Sequence, residues 1–137
     1  TVLCLLDSRK MDLCQYRIEK AHECLKSASA LINIGDYMTA ANRAYYAMFH
    51  AMRAVMAMDG EDRKKHSGVV AYFQEHYIKT GIFEKEYSYA LKSAFLVRQE
   101  TDYEDFYMIS KSETLEQMEN AERFVAAVDQ YLKSVIL

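Results

Sequence analysis

With 137 residues, no Pro, only four Gly and a formal charge of −3, the chain suits one all-helical domain that buries about two thirds of its unfolded surface. The mild acidity argues against a broad surface for coating nucleic acid and leaves room only for a local basic patch. Cysteines 4, 14 and 24 form no CxxC pair and have no His at ligand spacing, so they read as free, packed thiols of a cytosolic protein with no metal site and no cofactor.

Residues 1–11 carry no clear signal. Thr1 to Leu6 could be a loose apolar arm, the start of the first helix or a cloning remnant. From Asp12 the stripe Leu13, Tyr16, Arg17, Ala21, Cys24, Leu25, Ala28, Leu31 and Ile32 predicts a helix that Gly35 stops. The short turn predicts an antiparallel hairpin with the next element. That element runs from Asp36, a predicted N-cap, to Met58, a helix of about six turns. On its wheel Tyr45, Met48, Phe49, Met52, Val55 and Met56 mark the core side. Arg43 and His50, seven residues apart, share the opposite face about 10 Å apart along the axis, and are expected to point away from the core. Changes at either should then cost no more than about 0.5 kcal/mol of stability. Tyr46 and Arg53 lie beside them. Ala40, Ala47 and Ala54 recur along the other flank, a seam across which a second subunit could dock.

The turn at Asp59-Gly60 leads into Arg63, Lys64, Lys65 and His66, the only concentrated positive charge in the chain. It is either a solvated loop or a contact for phosphate. Ser67 is placed to cap a helix through Val69, Val70, Tyr72, Phe73, Tyr77 and Ile78, ending at Gly81, with His76 structural or exposed. A helix from about Phe83 to Gln99 follows, with Tyr87, Ala90, Leu91, Ala94 and Phe95 on its buried side. Arg98 either pairs with Asp102 or Asp105 or lines the site beside His50. Ser110 and Glu113 have capping-box spacing. They open a helix whose stripe is Leu115, Met118, Ala121, Phe124, Val125, Val128, Tyr131, Leu132 and Val135. The expectation is an antiparallel up-and-down bundle of four long helices plus a shorter one, a single domain over 12–137 that does not span a membrane.

Three strings, NRAYYAMFHA, KKHSGVV and VRQETDYEDF, occur in that order. Together they resemble the small prokaryotic HEPN proteins, whose signature is Arg, four to six residues, then His. The resemblance runs from about Tyr16 to Tyr131. It implies a cytoplasmic homodimer with a cleft made of Arg43 and His50 from both chains, and metal-independent endoribonuclease chemistry of the toxin type. His50 would take the 2′-hydroxyl proton, Arg43 would neutralise the phosphate, and products would end in 2′,3′-cyclic phosphate. Asn42, Tyr46, Arg53, Lys64, Lys65, His66 and Arg98 complete the expected phosphate-binding set. Implied partners are RNA or a nucleotide and a minimal nucleotidyltransferase antitoxin. Six residues separate Arg43 from His50 here, Ala44 follows the Arg, and Met52 stands where antitoxin-modified relatives carry Tyr. The alternative is a non-catalytic module in which Arg43, His50, Arg53 and the basic loop hold a nucleotide phosphate or dock a nucleotidyltransferase.

Overall fold

The computed structural model describes the backbone of residues 2–136 and the side chains of residues 7–136. Five helices follow one another: α1 Val2–Asn33, α2 Tyr37–Met58, α3 His66–Phe73, α4 Glu86–Tyr103 and α5 Lys111–Ile136. Four are long and one is short, as the periodicity predicts, and there is no strand among the described residues. The first helix begins at Val2 and not near Asp12, so most of the unassigned N-terminal segment is helical. Thr1 and the side chain of Cys4 lie outside the described residues. Helix α1 ends through Gly35, whose φ of +81° is the left-handed conformation that glycine adopts without a Cβ clash. Asp36 then caps α2, its carboxylate accepting from the Thr39 N–H at 3.3 Å.

Helix α2 is the centre of the bundle, packed against α1, α3, α4 and α5. Its core side carries Tyr45, Met48, Phe49, Met52, Val55 and Met56, all buried, as the wheel predicts. The Ala seam has a different use from the one expected. Ala40, Ala47 and Ala54 are no more than 1% exposed, and α1 supplies buried Ala21 and Ala28. The small residues are enclosed within this chain, where α1 forms the most extensive contact of α2, so the seam cannot also receive a second subunit.

Other local details depart from the sequence reading. Helix α3 starts one residue before Ser67; Lys65 occupies the cap position, without a side-chain cap bond. Past Phe73 the helix widens into a π-helical turn over Gln74–Ile78, where Gln74 reaches across to the Ser88 carbonyl at 3.1 Å. Helix α4 is shifted toward the C-terminus and takes in Thr101, Asp102 and Tyr103. Ser110 accepts the Glu113 N–H at 3.0 Å and opens α5 as expected. The predicted stripes are shorter at their ends than expected, with Leu13, Tyr16, Leu115 and Val135 exposed. Phe73, Phe83 and Phe124 form an aromatic knot joining the segment after α3 to α5, with ring centroids 5.3 to 6.0 Å apart.

Candidate functional site

Arg43, Tyr46, His50 and Arg53 recur at three- and four-residue steps along α2, so helical geometry alone puts them on adjoining tracks. Because α1 runs antiparallel beside them, they are half-buried and do not stand clear of the core. The expectation of a freely projecting pair is corrected in this respect. Small stability costs on substitution no longer follow from exposure.

Arg43 and His50 converge on one ring. The Arg43 guanidinium lies 4.9 Å from the Tyr46 centroid and the His50 ring 6.1 Å from it. Asn42 accepts a 2.8 Å bond from Arg43 Nη2 and so orients the fork. Among the described residues no carboxylate pairs with Arg43, so its charge is available to an anion. His50 has no hydrogen-bond partner among them either. Burial, with Arg53, Lys20, Arg43 and Arg17 adding positive potential, pulls its pKa down to about 4. The imidazole is therefore neutral at pH 7, the state that accepts a proton.

A pH dependence follows from that depression. Between about pH 6.5 and about 4 the unfolded chain binds a proton at His50 that the folded chain refuses, so stability falls as pH drops through this window. The His50→Ala variant loses this contribution. Relative to wild type it should gain about 1–2 kcal/mol on going from pH 7 to pH 5, read from denaturant midpoints. Equal pH slopes for the two proteins would show that His50 titrates normally.

Arg53 and Arg17 are held together by Asp62. Asp62 accepts from Arg53 Nε at 3.2 Å and Nη2 at 2.9 Å, and from Arg17 Nη2 at 3.2 Å. Arg17 also caps the Arg53 carbonyl at 3.0 Å. The Arg53 bonds, foremost, hold the Asp62 carboxyl below the usual carboxylate range. Arg53 thus reaches the site with half its fork engaged. Arg17 and Asp62 were not among the expected site residues; the only sequence signal was an Arg inside an otherwise apolar stripe.

Arg98 pairs with Asp102, the first of the roles offered for it, and also reaches Tyr46. Its Nε lies 3.1 Å from the Asp102 carboxylate one helical turn on, while Nη2 approaches the Tyr46 hydroxyl at 3.5 Å. The Nε–H does not point at that carboxylate, which leaves this buried atom without a true hydrogen bond. Asn42 Nδ2 also approaches Asp102, at 3.4 Å, so α4 closes one flank of the site. The basic loop divides. Lys64 and His66 line an open cleft with Phe49, Arg53, Asp62 and Arg63, while Lys65 takes the cap position of α3 and does not line that cleft. His76 is exposed and stacks on Tyr72 at 4.1 Å. Met52 is 1% exposed and packs in the core, so nothing that modifies a surface side chain reaches it. Cys14 and Cys24 are buried free thiols, and burial pushes Cys14 up to about 11, far from a reactive thiolate. Among the described residues no three His, Cys, Asp or Glu side chains gather as a metal site, and no helix is long and apolar enough to cross a membrane.

Known proteins resemble this chain along most of its length. Residues 14–131 match the model of the HEPN domain family. A UPF0332 protein of Archaeoglobus fulgidus is 34% identical over 84% of this chain and 91% of its own. A Methanocaldococcus jannaschii protein named "Putative toxin" is 31% identical over 89% of this chain and 90% of its own. The crystal structure of TT1696 from Thermus thermophilus superposes with a TM-score of 0.72 at 20% identity, covering 86% of this chain and 97% of that one, a likeness of fold.

Proposed function

The chain belongs to the HEPN domain family, and from that premise we propose that it is a toxin-type, metal-independent endoribonuclease of the cytoplasm, acting as a homodimer. The observation that carries this reading is the convergence of an unpaired Arg43 and a neutral His50 on the half-buried ring of Tyr46. His50 takes the proton from a ribose 2′-hydroxyl, the oxygen attacks the adjacent phosphorus, and Arg43 balances charge on the phosphoryl oxygens. Asn42, Tyr46 and Arg98 hold that constellation in place, and Lys64 and His66 extend the phosphate contacts along the cleft. The toxin name of the archaeal relative fits an RNA-cutting role. A single shallow face encloses little substrate, which is the reason to place a second subunit over it. With the Ala seam already filled by α1, that subunit must approach the Arg43–His50 face itself. A nucleotidyltransferase chain that covered the same face would act as an antitoxin.

The test is incubation of the purified chain with RNA in the presence of a metal chelator, with end-group analysis of the products. The reading requires 2′,3′-cyclic phosphate and 5′-hydroxyl ends, and slowed growth of a bacterial host that expresses the protein. Intact RNA, together with a nucleotide that raises the melting temperature, would establish the non-catalytic binding module instead.

A further inference from the structure

Two histidines of the same chain stand against the same pair of aromatic rings. The His50 centroid lies 6.1 Å from Tyr46 and 5.8 Å from Phe49. His66, in the first turn of α3, lies 5.6 Å from Tyr46 and 4.2 Å from Phe49, stacked on Phe49 at 19°. Its Nδ1 is 2.9 Å from the hydroxyl of Tyr45, a residue only 2% exposed. A buried phenol requires a partner, so Tyr45 holds the ring through Nδ1, and Nε2 is the nitrogen left for a ligand. The ring borders the open cleft of about 580 Å³ that Phe49, Arg53, Arg63 and Lys64 also line.

We propose that His66 is the general acid of the cleavage reaction, protonating the departing ribose 5′-oxygen through Nε2 while His50 of the same chain removes the 2′-hydroxyl proton. The inference rests on the ribonuclease reading above and assigns the second proton transfer that the reading leaves open. In the step, the 2′-oxygen to phosphorus bond forms and the phosphorus to 5′-oxygen bond breaks. One proton arrives on His50 and one leaves His66, and exchange with water restores both rings. The Tyr45 hydroxyl accepts from Nδ1–H both in the cation and in the neutral ring that remains once Nε2 has given up its proton. Burial, Arg98 and Arg53 oppose the His66 cation and Asp102 favours it. A phosphodiester lodged among those arginines shifts the balance toward the cation.

A merely structural role, an acceptor for Tyr45, predicts something different. His66→Asn keeps an acceptor oxygen near the Nδ1 position and has nothing at Nε2. The experiment compares an RNA oligonucleotide with the same oligonucleotide carrying a 5′-bridging sulfur at the scissile bond, whose thiolate leaves without a proton. His66→Asn should lose about 10²–10⁴-fold on the oxygen substrate and stay near wild type on the sulfur one, whereas His50→Ala stays low on both. Tyr45→Phe, with His66 intact, should lose less and again only on the oxygen substrate; it serves if His66→Asn fails to fold. Wild-type rates for His66→Asn on oxygen, or equal losses on both substrates, overturn the inference alone. A wild-type chain that cleaves neither substrate overturns the ribonuclease reading together with it.

Discussion

Replacing His50 with Ala is expected to lower RNA cleavage by about 10²–10⁴-fold, the usual contribution of a positioned proton acceptor, with the bundle still folded. The ring makes no hydrogen bond with a described residue and lies against Tyr46 and Phe49, so its loss leaves no polar group among them without a partner. Arg43→Ala should cost about 10²–10³-fold, as removal of a single donor to developing charge does elsewhere. It frees Asn42 to water and exposes the Tyr46 face. Arg43→Lys tests the fork separately from the charge, because a point charge cannot reproduce planar two-donor contact with phosphate. The composite dimer is read by mixing the inactive chains. In a mixed dimer of His50→Ala and Arg43→Ala, one cleft has an intact His50 facing an intact Arg43 across the subunits and the other has neither. Recovered activity therefore assigns the pair to different chains, and an inert mixture confines it to one chain. Full activity in either single variant removes that residue from the mechanism.

The sequence carried most of the architecture because each helix has a strong local signal. Gly35 terminates α1, Asp36 caps α2, Ser110 caps α5, and the apolar period between them is unbroken by Pro. What it could not carry is long-range. Asp62 lies 45 residues from Arg17 and 9 from Arg53, and only the closed hairpin of α1 and α2 brings the three together. The stacking of His66 on Phe49 likewise depends on where the loop after α2 returns. The string KKHSGVV reads as a plain basic run, yet it delivers one residue to the aromatic floor and leaves its neighbour Lys65 at the helix cap. Arg98 was legible as a choice between two roles. The fold shows the pairing, since α4 continues far enough to set Asp102 one turn beyond Arg98, and it turns the other end of the guanidinium toward Tyr46.

The seam of small residues is the instructive error, and it carries the largest expected effect on stability. Alanines every seven residues state only that something comes close to α2. Sequence periodicity cannot say whether that neighbour is α1 or another subunit. In the fold α1 is the helix that packs most extensively on α2, and Ala47 is 0% exposed within the chain, as are Ala21 and Ala28 of α1. An Ala47→Asp variant must therefore place a short carboxylate where no water reaches. Its cost is several kcal/mol, a large share of the roughly 5–15 kcal/mol that holds a domain of this kind together. The expected result is loss of cooperative thermal unfolding by circular dichroism, with activity disappearing because the chain no longer folds. A seam between subunits would give the opposite outcome, a well-folded monomer with an unchanged helical signal. Ala47→Asp thus separates an intrachain seam from an interchain one, and a folded monomer would require a different partner for α1.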